Sequence, residues 1–222
     1  MKIVAPYYEI LDYPKDVLGN IERTARACYK SEDKICEGSA ARLVKSLLRR
    51  GHHAMIEFGG DIVVKFVSNR GFTHELVRHR LASFAQESTR YCSYNKDKFD
   101  GELTFVCPQR IIARSCDEVV DVWQTLEDAW RSAEQSYMEL IHKGASAEIA
   151  REALPIGVKA EIVIKANVRE WMHIFQLRTS KKAHPRMREL MIPLREELKT
   201  LMPLVFDNVK PILDLEEVRL CV

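Results

Sequence analysis

Residues 78 to 90 read Arg-His-Arg-Leu-Ala-Ser-Phe-Ala-Gln-Glu-Ser-Thr-Arg, which gathers three guanidinium groups, an imidazole, two serine hydroxyls and a primary amide in one short segment. A guanidinium presents a rigid fork of donors that matches phosphate oxygens in pairs, and hydroxyls and loop amides fill the remaining acceptor sites. Arg78, Arg80 and Arg90 face a single carboxylate, Glu87, so a dianionic nucleotide phosphate would relieve their mutual repulsion. The same residue types also suit a helix C-terminus decorated with basic side chains that favour the dipole, followed by a solvated loop.

A second group runs from Asn167 to Arg178. Trp171, Met172, Ile174, Phe175 and Leu177 are spread around a helix, which implies burial on most sides. Arg178 shares the face of Trp171 and Ile174, so its charge needs a partner, either a ligand or the last carbonyls of its own helix. Arg169 and His173 stand one turn apart and form a separate polar edge that faces a cofactor or water.

The elements that position these groups follow from periodicity and punctuation. Lys2 to Ile10 reads as one strand ended by Asp12 and Pro14. Asn20 is a candidate cap for a helix through Ile21, Ala25 and Cys28, and Ser39 for one through Leu43, Leu47 and Leu48 that stops at Gly51. Gly59-Gly60 breaks the chain before a buried strand from Asp61 to Val67, and Gly71 to Arg80 reads as helix leading into Leu81 to Tyr91, a polar stretch with no sustained period. Leu103 to Val106 reads as a strand stopped by Pro108. The longest helical pattern, Asp117 to Lys143, carries the stripe Val119, Val120, Trp123, Leu126, Trp130, Ala133, Tyr137, Leu140 and Ile141, which faces a core or a neighbouring chain. Ser146 caps a short helix to Leu154, Val158 to Val168 is a strand, Arg169 to Thr179 a helix, and Pro185 opens a last helix that Pro193 kinks or divides. The expected architecture is α+β: a single domain over residues 1–222, with a mixed or antiparallel sheet packed with long helices.

Composition narrows the function classes. With 34 basic and 32 acidic side chains in 222 residues, the chain lacks the large or segregated excess of a general nucleic-acid binder. Cys28, Cys36, Cys92, Cys107, Cys116 and Cys221 show no zinc-knuckle or redox spacing, and free thiols in a reducing compartment are expected. The N-terminal residues form no signal-peptide core, and no apolar run reaches the roughly 20 residues of a membrane span. A cytoplasmic location is the expectation, with neither nucleic acid nor membrane as partner. No G-x-G-x-x-G occurs, so a Rossmann-type site has no support.

Four blocks carry a resemblance. Arg78-His79-Arg80-x-x-Ser83-x-x-x-x-Ser88-x-Arg90 resembles the signature of flavin-dependent thymidylate synthases, usually written R-H-R-x-x-S-x-N-E-x-S-x-R. Arg151-x-x-Leu154-Pro155, Asn167-x-Arg169 and Leu177-Arg178 resemble that family's later blocks in the same order. The resemblance implies reductive methylation of dUMP to dTMP, with 5,10-methylenetetrahydrofolate giving the carbon and NADPH-reduced FAD the hydride. It implies that Arg78, Ser88, Arg90 and Arg151 hold the nucleotide, with Glu75, Gln86, Glu87 and Thr89 among the substrate-binding residues. Ser88 and Arg178 are the implied catalytic residues: Arg178 contacts the uracil and favours its N3-deprotonated form, and Ser88 is a positioning or polarising hydroxyl. The flavin contacts fall to His52, His53, Arg78, His79, Arg80, Asn167, Arg169 and His173, at subunit contacts of a homotetramer.

The match has departures. Ala85 and Gln86 stand where the family often has Asn and Glu, and Glu75 where a Gln commonly occurs. Glu87 could place a carboxylate near the missing one. His52 to Glu57 follows the family's His-x-Thr-Pro-x-Glu block loosely, and His173 replaces an Asn. Two readings outside the family use the same residues. His52, His53, Glu57 and His79 could be metal ligands for phosphate hydrolysis, though their spacing matches no common motif. Alternatively, Arg78 to Arg90 could bind nucleic acid, with Phe84 and Tyr91 stacking on bases.

Overall fold

Two short breaks decide how the N-terminal segment is used. In the computed structural model, which describes residues 1–94, 100–107, 117–207 and 209–211 and only the backbone of 117–121, the expected single strand is split at Ala5-Pro6 into β1 (Lys2–Val4) and β2 (Tyr7–Asp12). The proline has no N–H for a ladder, so the chain leaves one sheet and enters another. β1 pairs in parallel with β5 (Thr104–Val106), and β2 lies at the edge of a four-stranded sheet. That sheet has the order β2-β3-β6-β4, with β3 at Asp61–Asn69, β4 at Ala82–Gln86 and β6 at Lys159–Asn167. The mixed helix and sheet content matches the α+β expectation.

The helices are α1 (Val17–Tyr29), α2 (Ser39–Arg49), α3 (Arg70–Leu76), α4 (Asp117–His142), α5 (Ala147–Ala150), α6 (Val168–Arg178) and α7 (Pro185–Leu201). Several boundaries differ from the sequence reading. α1 is capped by Asp16, whose Oδ1 accepts from the Gly19 N–H at 3.0 Å, rather than by Asn20, which lies inside the helix. Ser39 is the first residue of α2 and Gly38 its cap. α3 ends at Leu76, before Arg78. The stretch beyond it contains β4, a strand absent from the sequence reading because its half-buried residues Ala-Ser-Phe-Ala-Gln lack strong apolar alternation. The segment expected to be one short helix to Leu154 is α5 followed by a 3-10 turn over Arg151–Ala153. α7 continues through Pro193 without dividing; that residue is on the exposed side, where the carbonyl it frees can meet water. Pro108, Cys116 and Cys221 lie outside the described residues, as do the side chains of Val119 and Val120.

The chain forms two compact units. The first comprises Met1–Tyr7, Phe66–Arg78 and Ala85–Val163. Its core joins Tyr94, Leu103, Phe105, Trp130, Tyr137, Ala150 and Val158, with Trp123, Leu126, Leu140 and Ile141 packed against them. From Trp123 to Ile141 the stripe on α4 therefore packs into a core of its own unit, and Phe105 stacks on Trp130 with ring centroids 4.7 Å apart.

The second unit comprises Tyr8–Lys65, His79–Phe84 and Ile164–Val222. Here α6 is fixed by Trp171, fully buried, whose indole N–H donates to the Ile62 carbonyl of β3 at 3.1 Å. Trp171, Phe175 and Phe206 continue as a chain of ring contacts at 5.4 and 5.7 Å. The Tyr8 hydroxyl on β2 donates to Glu197 on α7 at 2.8 Å. Gly60 bridges two of these elements: its carbonyl accepts from the Val168 N–H at the start of α6 at 3.0 Å. Gly60 has φ 108° and ψ 178°, and a Cβ there would meet Pro14 Cβ at 2.8 Å. This backbone region belongs almost wholly to glycine, so Gly60→Ala is expected to cost roughly 1–3 kcal/mol. Urea unfolding checks it, and a midpoint equal to that of the unsubstituted protein would contradict the assigned conformation.

Cys28, Cys36 and Cys92 are free thiols. Among the described residues no helix is long and apolar enough to cross a membrane.

Candidate active site

The first unit carries most of the expected nucleotide-binding residues. Arg78 follows α3 and is exposed, and Glu75, one turn earlier, is half-buried. Gln86 ends β4, and its amide N–H donates to Thr73 Oγ1 at 3.1 Å. Glu87 takes a different direction, as neighbours on an extended chain must. Its carboxylate accepts from the Tyr94 hydroxyl at 3.3 Å and lies 3.7 Å from Lys159 Nζ. Glu87 is therefore engaged by Tyr94 and Lys159 of its own unit. Burial, with the Glu87 charge beside it, pushes the Tyr94 hydroxyl well above its usual range.

After Glu87 the chain turns sharply. The Ser88 carbonyl accepts from the Tyr91 and Cys92 N–H groups, and Ser88 Oγ accepts from the Arg90 N–H at 3.3 Å. Thr89 is buried beneath the turn, and Arg90 projects outward. Arg90 Nε reaches Glu148 Oε1 of α5 at 2.8 Å. Arg151 stands three residues beyond Glu148, 3.6 Å from Glu152. The structure thus brings the Ser88–Arg90 turn to the segment that bears Arg151, and the arginine there already grips a carboxylate.

The second unit contains the expected flavin contacts other than Arg78. A cavity of about 450 Å³ is lined by His53, Asn167, Arg169 and His173, together with Glu57, Leu81, Glu170, Met172 and Gln176. Asn167 caps α6, its Oδ1 accepting from the Glu170 N–H at 2.8 Å, which orients its amide. Arg169 forms an ion pair with Glu57. His52 and His53 diverge: His52 lines a separate cavity of about 560 Å³ with Ala25, Tyr29, Leu47 and Met55. Arg80 is exposed. His52, His53, Glu57 and His79 form no ligand set, since among the described residues no three His, Cys, Asp or Glu side chains are placed to hold a metal ion.

His79 and Arg178 meet in this unit. Arg178 Nε donates to His79 Nε2 at 3.0 Å, while the Phe175 carbonyl near the helix end accepts from the Thr179 N–H and hydroxyl. His79 is 5% exposed, and its ring meets that of His173 edge-on at 6.0 Å. Burial, then the Arg178 charge, then His173 hold the His79 imidazole down at about 4, so it is neutral near pH 7. Glu170, 6% exposed, has a carboxylate oxygen 3.4 Å from His79 Nδ1, and burial pushes its carboxyl up.

Leu81, Glu170, Met172 and Gln176 were not among the residues singled out as a site in the sequence, and Glu57 was named there only as a candidate metal ligand. For Glu57 a signal existed, its place in the loosely matching His52 to Glu57 block. Glu170, Met172 and Gln176 flank expected residues on α6, but which of them turn to the cavity depends on how α6 is docked.

Comparison with known proteins bears on the whole of this arrangement. A family model described as thymidylate synthase complementing protein matches residues 9–204. The flavin-dependent thymidylate synthase of Pyrococcus furiosus is 30% identical over 210 residues, covering 92% of this chain and 81% of that one. The one from Geobacter sulfurreducens is 26% identical over 208 residues, covering 91% and 86%. In fold, the chain is similar to the crystal structure of a UMP/dUMP methylase PolB from Streptomyces cacaoi bound with 5-Br dUMP, with a TM-score of 0.77, 22% identity and coverage of 93% and 96%. With the family model spanning all four motif blocks, the chain belongs to the thymidylate synthase complementing protein family, the family of the flavin-dependent thymidylate synthases.

Proposed function

We propose that the protein methylates dUMP reductively to dTMP, taking the carbon from 5,10-methylenetetrahydrofolate and electrons from NADPH. The observation that carries this reading is the cavity of the second unit, where His53 meets Asn167, the cap of α6, and Arg169 and His173 of that helix. Its lining combines a guanidinium paired with Glu57, two imidazoles, an oriented amide, Gln176 and the buried Glu170 with Leu81 and Met172, a mixture of polar groups and apolar surface suited to part of a flavin dinucleotide. The cavity is smaller than the whole dinucleotide, so we assign the remainder to Arg78, His79 and Arg80 and to a neighbouring subunit of a homotetramer. When bound, reduced FAD supplies the hydride.

The remaining assignments concern the protein's own groups. Arg78, Ser88, Arg90 and Arg151 hold the nucleotide phosphate and sugar, with Glu75, Gln86, Glu87 and Thr89 shaping their surroundings. Glu148 serves as the anion that Arg90 grips between substrates. Arg178 faces the uracil, where a fixed cation stabilises negative charge on the ring far more effectively than water does. The whole chain acts as one functional domain in the cytoplasm, on small molecules rather than nucleic acid or membranes.

The test is spectroscopic. Purified protein should show the yellow absorbance of oxidised flavin, or gain it on incubation with FAD, and the spectrum should change when dUMP is added. Oxidation of the reduced flavin in the presence of methylenetetrahydrofolate should depend on dUMP and yield dTMP. A protein that takes up no FAD, or whose flavin is indifferent to dUMP, would overturn the reading.

A further inference from the structure

A buried carboxylate on α6 stands behind the imidazole that holds Arg178. Glu170 and His79 are 6% and 5% exposed, Glu170 Oε1 is 3.4 Å from His79 Nδ1, and Arg178 Nε is 3.0 Å from His79 Nε2. A guanidinium is always protonated and can only donate, so His79 Nε2 must offer its lone pair to Arg178. A neutral imidazole with a lone pair on Nε2 carries its proton on Nδ1, and that proton points to the Glu170 oxygen. In the other tautomer, an Nε2–H would oppose the Arg178 N–H, donor against donor.

We propose that Glu170 is a positioning residue for Arg178: by accepting from His79 Nδ1–H it fixes the tautomer whose Nε2 holds the guanidinium. This deepens the reading of Arg178 as the uracil-facing cation and rests on it. The bond to His79 uses Nε, the nitrogen closest to the chain, so it sets the plane of the fork. An acidic residue in the first turn of a helix has an ordinary role, favouring the positive end of the dipole. That role is met by an exposed side chain and needs no burial beside a histidine. A buried carboxyl is retained at a desolvation cost, which the His79 contact offsets only if its proton is on Nδ1.

Two variants of the flavin-loaded protein separate the roles. In Glu170→Ala, Nδ1–H loses its acceptor and Arg178 loses its fixed direction. The expected result, measured per bound flavin, is a KM for dUMP raised, and a kcat lowered, each by roughly 10-fold or more. Glu170→Gln keeps an acceptor oxygen at the same reach and should restore both constants to within roughly threefold of the unsubstituted protein. The imidazole nitrogen NMR shifts of His79 should report Nδ1–H in the unsubstituted protein and in Glu170→Gln, and Nε2–H or a mixture in Glu170→Ala. Unchanged kinetics in Glu170→Ala, a Gln variant as impaired as the Ala variant, or a tautomer insensitive to residue 170 would each overturn the proposal. If dUMP-dependent flavin oxidation is missing in the unsubstituted protein, the functional reading fails, and the tautomer measurement alone still decides whether Glu170 positions the ring.

Discussion

Replacing Arg178 with alanine is expected to lower kcat for dUMP-dependent flavin oxidation by roughly 100- to 1000-fold, the usual consequence of removing one preorganised donor that stabilises developing charge. Arg178 ends α6, is half-buried, and is held by His79 rather than left to sample solvent. Such an arrangement serves charge stabilisation because the cation needs no reorganisation when the ring becomes negative. Lysine should restore little of the lost rate. Its ammonium has no inner nitrogen with which to bond His79 while presenting charge elsewhere, and its flexible stem gives up the direction of the fork. If Arg178 only favoured the helix C-terminus, the alanine variant would cost a few tenths of a kcal/mol in stability, the lysine variant almost none, and neither would lose turnover. Steady-state kinetics of the two variants at saturating cofactors decides the matter, and a kcat within threefold of the unsubstituted enzyme would remove Arg178 from the chemistry.

What could be read in the sequence depended on whether a feature was local. The Arg78 to Arg90 and Asn167 to Arg178 blocks are contiguous, so their residue types and spacing were visible at once. Long elements with strong periodicity, such as α4 and β6, were placed nearly where they occur. β4 was not, because Ala82 to Gln86 carries one large apolar residue, Phe84, among small and polar ones, and its strand state comes from its neighbour β6 rather than from its own pattern. The cap of α1 was misplaced because Asp16 and Asn20 are equally good capping types, and the choice falls to the one whose side chain reaches Gly19. Glu170 gained its meaning only by tertiary contact with His79, and the pairing of Glu57 with Arg169 likewise came from the fold. The divergence of Glu87 from Gln86 needed only the alternation of an extended chain, but the strand that imposes it was not evident.

The largest stability effect is expected at Trp171. α6 carries Asn167, Arg169, His173 and Arg178, and its Trp171 is fully buried between Phe175 and the Ile62 carbonyl of β3. Trp171→Ala removes the ring, leaves a cavity and takes away the partner of that carbonyl, for a loss of roughly 3–5 kcal/mol. That is a large fraction of the total stability of a typical domain, roughly 5–15 kcal/mol, and corresponds to a fall in Tm of roughly 6–20 °C for a chain of this size. Trp171→Phe keeps most of the apolar surface but not the N–H, so it should fall between the two and isolate the hydrogen bond. Calorimetry of the three proteins measures both steps. The functional consequence follows from geometry: a helix no longer pinned to β3 cannot keep Asn167, Arg169 and His173 on one cavity wall. Flavin affinity in Trp171→Phe should therefore fall even at temperatures well below unfolding. A Trp171→Ala protein that melts within about 2 °C of the unsubstituted one would show that α6 is held by something other than this anchor.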